Sequence, residues 1–268
     1  MKTPDYFNLL FFKTDKYEYS SPHVCDFSNI PRPHFCMGLI LEGGGTFMQE
    51  GEEDIAVHKG DMIFVPITSR YVSKWSGSPN TTYVSLHFAF SPGQGISEKD
   101  NYKLQKITPP DFRQMTDDYL FILNNQEDSD LSVKCAVLSR FFGIINRILP
   151  HLTQNPTRER DERIEKAAEY IERHSEENHS VSELARKSSM SVSNFYPLFK
   201  KFMGTSPIEY RNAVRIRRAM CILKSDRHTS VEELSRLLGF ESPVYFRRAF
   251  KKMTGKTPLE YRKSDMEI

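Results

Sequence analysis

The sequence predicts a multidomain protein: an all-β barrel with an appended helical hairpin, then an all-α domain of two helix-turn-helix motifs joined by a linker helix. Three observations lead there. Short apolar runs with a period of two, broken by glycine and proline, fill Phe35 to Phe90. One helical motif occurs twice after residue 180. Charge is divided between the halves: residues 1–157 hold 14 Lys and Arg against 18 Asp and Glu, and residues 158–268 hold 23 against 17. A net negative half followed by a basic one suggests a polyanionic partner for the second.

In the first half, Cys36 to Leu41, Thr46 to Gln49, Ile55 to His58 and Met62 to Val65 read as strands, divided by Gly43-Gly44-Gly45, Gly51 and Lys59-Gly60. Thr82 to Phe90 alternates most regularly, with Val84, Leu86, Phe88 and Phe90 on one face and Tyr83, Ser85, His87 and Ala89 on the other. Strands this short and closely spaced suit a small barrel or sandwich. Asp111 to Asn125 and Leu131 to Leu149 follow as amphipathic helices around a polar turn at Asn124 to Asp130. In the second, Val137, Phe141, Ile144, Ile145 and Ile148 recur at spacings of three and four. Such a hairpin packs on its own barrel or against a partner. Pro150 ends it, and the stretch with Asn155-Pro156 reads as a linker, which divides the chain into domains at 1–150 and 161–268 with a linker at 151–160.

The repeat carries most of the information. Val181, Glu183, Leu184 and Arg186 match Val231, Glu233, Leu234 and Arg236. After one inserted residue, Phe195, Phe199, Lys200, Gly204, Pro207, Tyr210 and Arg211 match Phe246, Phe250, Lys251, Gly255, Pro258, Tyr261 and Arg262. Each copy reads as helix, turn, helix, with Ser180 and Thr229-Ser230 as N-cap candidates and acidic residues in the first turn. Gly239 permits a sharp exit from one first helix, and Gly204 and Gly255 end the second helices. The phenylalanines form the inward face. The opposite face offers Val244, Arg247 and Arg248 with Lys251 and Lys252 in one copy, and Ser193 and Tyr196 with Lys200 and Lys201 in the other. The second helix of such a motif enters the major groove, where arginine reads guanine and lysine at the helix end meets phosphate. Ser193, Tyr196, Val244, Arg247 and Arg248 are therefore the candidate base readers, and Lys200, Lys201, Arg211, Lys251, Lys252 and Arg262 the candidate phosphate contacts. The tyrosine-arginine pairs that close each copy could equally pack and cap. Pro197 falls inside the first recognition helix and forfeits a backbone hydrogen bond, so the first copy is expected to contribute shape and phosphate contacts more than base reading.

The stretch GFESPVYFRRAFKKMTGKTPLEYR closely resembles the signature of the AraC/XylS regulators, and the similarity covers about residues 162 to 264. The resemblance implies seven helices in two helix-turn-helix units. Their linker helix runs from Pro207 to Lys224, with Arg215, Ala219 and Leu223 at characteristic positions. Such a helix, about 27 Å long, helps to set two recognition helices into successive major-groove segments roughly 34 Å apart. The run LEGGGTF…HKGDMIFVP resembles a cupin, the usual effector domain in that family. The resemblance further implies double-stranded promoter DNA, a small-molecule effector such as a sugar, and RNA polymerase as partners. It also implies a homodimer that uses the stripe Val137, Phe141, Ile144, Ile145 and Ile148, most often acting as an activator.

His34, Arg70, Trp75, Tyr83 and His87 are the candidate effector contacts. Catalytic cupins cluster His and Glu around a divalent ion. Here His34, His58 and His87 are dispersed, no H-x-H occurs, and Arg70 follows Val65-Pro66 where relatives often carry histidine. No metal, cofactor or catalysis is expected. Two rivals stay open: a ligand-independent repressor or architectural protein, and a metal-dependent cupin enzyme with an attached DNA-binding domain. The four cysteines lack metal-binding spacing and read as free thiols in a reducing compartment. No apolar run approaches the roughly 20 residues that cross a bilayer, and residues 1–12 lack the architecture of a secretory signal, so the expected location is the cytoplasm.

Overall fold

A computed structural model of the chain describes residues 9–29, 31–76, 80–90, 95–96, 101–155, 161–226 and 228–263. It divides into a β unit, Phe11–Ala89 with Glu98–Asn155, and a helical unit whose bulk is Pro156–Glu267.

The β unit contains β1 (Leu9–Tyr19), β2 (His23–Asp26), β3 (Phe35–Glu42), β4 (Gly44–Met48), β5 (Ile55–His58), β6 (Met62–Val65), β7 (Val72–Trp75), β8 (Thr81–Phe90) and β9 (Gln105–Ile107). Among the described residues they form a sheet of order β1-β8-β3-β6-β9 and a second of order β2-β7-β4-β5. β3 pairs antiparallel with β6 and β8, and β4 with β5 and β7. A core of Ile40, Phe47, Val57, Ile63, Trp75 and Tyr83 joins residues of both sheets. The alternation in β8 does not separate buried from exposed residues, because both of its faces are covered. Tyr83, Ser85 and His87 line an interior cavity, whereas Phe88 lies 5.2 Å, ring to ring, from Phe141 of the helical hairpin.

The glycine run is more than the expected divider. Gly43 makes the turn with a positive φ, but Gly44 and Gly45 are the first residues of β4. A Cβ on Gly45 would stand 2.7 Å from the Trp75 ring. The strand can therefore lie flush on that tryptophan only without a side chain there.

The hairpin comprises α1 (Phe112–Asn125) and α2 (Leu131–Ile148). Asp111 caps α1 by accepting from the Gln114 amide, and Asp130 caps α2 by accepting from Ser132 and Val133. Asp118 of α1 is buried and receives Arg140 and Arg147 of α2, which locks the pair together. The Tyr119 hydroxyl donates to the Met37 carbonyl of β3 at 3.2 Å. The stripe expected to dimerise is turned inward: Val137, Phe141, Ile144, Ile145 and Ile148 are all buried within the one chain. Phe141 packs on Phe12 and Phe88, so this stripe closes the chain's own core. After α2 the chain remains tied to the β unit, with the Lys103 amide on the Thr153 carbonyl and the Asn155 amide on Asn101. The first half of the expected linker is thus held in place by hydrogen bonds, and its remainder, residues 156–160, lies outside the described residues.

The helical unit contains α3 (Glu162–Arg173), α4 (Val181–Lys187), α5 (Val192–Met203), α6 (Pro207–Ser225), α7 (Val231–Leu237), α8 (Pro243–Thr254) and α9 (Pro258–Lys263). Ser180 and Ser206 form capping boxes with Glu183 and Glu209, and Ser191, Ser230 and Ser242 cap their helices through the side chain. Gly204 and Gly255 take the left-handed conformation that ends α5 and α8. Two cores result, one around Phe195 and Phe199, the other around Phe246 and Phe250. All four rings are fully buried.

Candidate DNA interface and ligand cavity

The outward face of each recognition helix is fixed by its inward one. With Phe246 and Phe250 locked in the core, Val244, Arg247, Arg248, Lys251 and Lys252 of α8 stand exposed. Arg248 has no hydrogen bond or ion pair among the described residues. Arg247 is held by Glu232 in the first turn of α7. In the other copy Ser193, Tyr196, Lys200 and Lys201 are exposed on α5, which runs unbroken through Pro197. The Ser193 hydroxyl is engaged with that of Ser191 at 2.9 Å, within the helix cap.

Two of the expected phosphate contacts serve a different purpose. Arg211 is buried and donates to the His179 carbonyl at 2.8 Å. Arg262 donates to the Thr229 carbonyl. Each carbonyl belongs to the residue preceding an N-cap, Ser180 or Ser230. The two arginines thus play the same part in both copies, fastening the entry of the first helix, and they turn inward rather than toward a phosphate.

Arg215 of α6 is almost wholly buried. It donates to the Ser175 carbonyl, to the Glu177 carbonyl at 3.1 Å and to Asn178 Oδ1 at 3.0 Å, and its guanidinium lies over the Phe240 ring. Burial, with Arg211 nearby, lowers its pKa to about 10, still charged at neutral pH. Gly239 completes the junction. Its φ is +73°, and a Cβ there would collide with the Glu176 carbonyl in the loop that leads to α4. The Tyr245 hydroxyl also receives Asn212 of the linker helix at 2.9 Å. These contacts fix the second copy against the first, and therefore the orientation of α8 relative to α5.

In the β unit a cavity of about 290 Å³, mouth included, is lined by Arg32, Tyr71, Trp75, Tyr83, Ser85 and His87 among others. As it stands, most of that space is open mouth, and the enclosed part has room for roughly one water molecule. Three expected effector residues meet here: Trp75 and Tyr83, stacked 4.3 Å apart, and His87. Arg70 does not join them, because it lies on the surface and donates to the Ser28 and Asn29 carbonyls. His34 is buried beside His87, rings 5.1 Å apart, outside the cavity wall.

The cavity's cation is Arg32. It is 7% exposed, its Nε donates to the Tyr71 hydroxyl at 3.0 Å, and its guanidinium covers the Phe27 ring at 4.1 Å. Burial opposes its charge, and its neighbours Tyr71 and Cys36 are themselves held protonated by burial, so neither is a counter-ion. Burial in turn pushes the Tyr71 hydroxyl up to about 12, so its nearest polar neighbour is neutral. The only sequence signal for Arg32 was a lone cation between Pro31 and Pro33, ahead of an apolar strand. Glu232 was equally inconspicuous, as one acidic residue in a helix N-terminus where the macrodipole alone accounts for it.

Residues 184–264 match the helix-turn-helix domain family. Over 252 residues, 84% of this chain and 82% of the relative, the protein is 23% identical to the HTH-type transcriptional regulator YdeC of Bacillus subtilis (strain 168). Over 103 residues, 38% of this chain and 35% of the relative, it is 33% identical to the arabinose operon regulatory protein of Escherichia coli (strain K12). Among solved structures, unsaturated fatty acid-bound ToxT from Vibrio cholerae strain SCE256 superposes with a TM-score of 0.59 at 14% identity, covering 96% of this chain and 97% of that one. That likeness is one of fold. The paired helix-turn-helix geometry and these relatives mark the chain as a DNA-binding transcription regulator rather than an enzyme, with its last hundred residues similar to those of the arabinose operon regulatory protein.

Proposed function

We propose that the helical unit reads promoter DNA mainly through α8, and that a small molecule held in the β unit controls its occupancy. Val244, Arg247 and Arg248 reach base edges; Ser193 and Tyr196 touch the duplex at the first copy; Lys200, Lys201, Lys251 and Lys252 neutralise phosphates. One observation carries this reading: the complete burial of Phe246 and Phe250 leaves α8 a single free face, and that face carries four cations. The β unit, about residues 1–150, serves as the effector domain, joined by the short linker that follows to the DNA-binding domain at about 161–268. Relatives named for sugar operons favour a carbohydrate-derived effector, and activation would proceed through RNA polymerase. The ligand cannot enter the cavity as it stands, so binding must move its walls, and an effector acts only through such a difference between two states. The protein works as a homodimer in the cytoplasm. On α2 the surface left for a second copy is Leu131, Cys135 and Leu138, all exposed, in place of the buried stripe.

The test is selection of DNA from a random pool by the purified full-length protein, followed by binding over a salt series. The selected sequence should bind on the order of a thousandfold more tightly than random DNA. Arg247→Ala should erase the preference at one base pair, a loss of about 1–3 kcal/mol. Lys251→Ala should weaken all sequences alike and reduce the salt slope by about one. No enriched sequence, with binding insensitive to salt, would overturn the reading.

A further inference from the structure

We infer that the β-unit cavity binds a compact hydroxy carboxylate, its carboxylate held by Arg32 and Trp75 and a hydroxyl by His87. This rests on the reading of the β unit as an effector domain and names the chemistry of that effector.

Arg32 is the first observation. A buried cation is costly unless an anion accompanies it. Among the described residues no carboxylate lies within ion-pair distance of Arg32, and its one hydrogen bond, from Nε to Tyr71, leaves both terminal nitrogens without a protein acceptor. A ligand that expels the last water from the cavity removes the remaining solvation of that charge. A neutral polyol can accept hydrogen bonds there but cannot balance the charge, whereas a carboxylate accepts two parallel bonds from the guanidinium fork.

Trp75 is the second. Its Nε1 is buried with no partner among the described residues. Indole nitrogen can only donate, so it too calls for an acceptor oxygen.

His87 supplies the third, through a short relay. The Tyr17 hydroxyl lies 3.2 Å from Asp15 Oδ2 and 3.3 Å from His87 Nε2. A carboxylate can only accept, so Tyr17 spends its proton on Asp15 and its oxygen accepts from His87 Nε2–H. Burial, Arg32 and His34 hold the His87 pKa well below its ordinary value, so the ring is neutral. A neutral ring protonated at Nε2 presents a bare lone pair at Nδ1, and that atom is buried without a partner among the described residues. It calls for a donor, which a carboxylate lacks and a ligand hydroxyl provides. Donors at Arg32 and Trp75 with an acceptor at His87 describe one small molecule bearing both groups. With room for only about one water molecule before its walls move, the cavity suits a compact ligand rather than an oligosaccharide.

Trp75 is the only tryptophan in the chain, so intrinsic fluorescence reports on this cavity alone. The full-length protein would be titrated with lactate, tartrate, gluconate, glucuronate and galacturonate, and with glucose, galactose, arabinose and butyrate as counterparts that lack the charge or the hydroxyl. At least one hydroxy acid should change Trp75 emission saturably and raise the melting temperature, binding at least tenfold more tightly than its neutral or hydroxyl-free counterpart. Arg32→Gln should abolish that preference. Arg32→Lys, which keeps the charge and loses the fork, should weaken it, and His87→Phe should bring the affinity for the hydroxy acid down to that for butyrate, each variant checked for native circular dichroism. Saturable binding of a neutral sugar with equal or greater affinity, unchanged in Arg32→Gln, would overturn the carboxylate and leave the effector reading standing. Silence from every compound in the panel would overturn the inference, while specific DNA binding by the same preparation would show the regulator itself intact.

Discussion

The two copies of the helix-turn-helix differ at a pair of positions that change together. Where the second copy has Glu232 on the first helix and Arg247 on the recognition helix, the first has Ser182 and Tyr196. The acid thus occurs in the copy that carries the arginine, and the two are joined in the structure. An exposed ion pair adds little stability, about 0–1 kcal/mol, so its value lies in aim: Glu232 restricts the long Arg247 side chain to orientations near the groove. Glu232→Gln should therefore reduce discrimination at the base pair read by Arg247 roughly tenfold. It should leave affinity for random DNA unchanged or raise it slightly, since one negative charge near phosphate is gone. Quantitative binding to the selected sequence and to its single-base variants separates the two effects. Uniform tightening toward every sequence would reduce Glu232 to a charge and nothing more. Few of the decisive residues at this scale were legible from the sequence. Exposed cations at helical spacing were, because periodicity reveals a face, but Arg32, Arg70 and Arg211 were not. Whether an arginine turns into a cavity, onto a loop carbonyl or beneath a helix cap depends on chain segments distant in sequence, such as the Tyr71 hydroxyl for Arg32 and the His179 carbonyl for Arg211.

Elements were read best where a periodic pattern and a cap agreed. Every helix of the repeated unit starts at a serine cap, and a glycine stops α5, α7 and α8, with Ser189 taking the left-handed turn after α4; those signals are local. The strands divide differently. β3 to β6 and β8 announce themselves as apolar runs, whereas β1 interleaves Lys13, Asp15, Lys16 and Glu18 among its apolar residues and β7 is only four residues long. The proline in α5 tests how far local cost is tolerated. Pro197 is exposed, and its missing N–H deprives the Ser193 carbonyl of its helical partner. Proline in a helix interior costs about 3 kcal/mol relative to alanine, less about 0.4–1 kcal/mol returned because proline also restricts the unfolded chain. Pro197→Ala should thus stabilise the helical unit by about 2–2.6 kcal/mol, read as a higher urea midpoint at unchanged slope. A lower midpoint would mean that the proline ring contributes packing that its exposure does not reveal.

On the scale of the whole molecule, two units with separate cores were foreseeable from the switch of periodicity and charge along the chain, while the α2 stripe expected to meet a second copy is buried within the one chain. A stripe at three-and-four spacing says that a helix buries one side without saying against what, and the chain's own β1 and β8 claimed that of α2. Beside that stripe α2 still carries Leu131 and Leu138, 75% and 40% exposed, with the Cys135 thiol between them. Scattered exposed leucines need no explanation, but three such residues spaced four and three apart form a seam on one helix face. Two copies joined there would bring four recognition helices to one promoter, and the second pair would bind at an effective concentration set by the linker rather than by the solution. Leu138→Glu should then convert a dimer to a monomer in sedimentation. It should lower affinity for a DNA fragment carrying two sites by tenfold or more, and leave affinity for a single site unchanged. A short bis-maleimide should likewise join two wild-type copies through Cys135. Loss of crosslinking in Leu138→Glu, with single-site binding intact, would locate the seam; a dimer that survives the substitution would move it off α2 altogether.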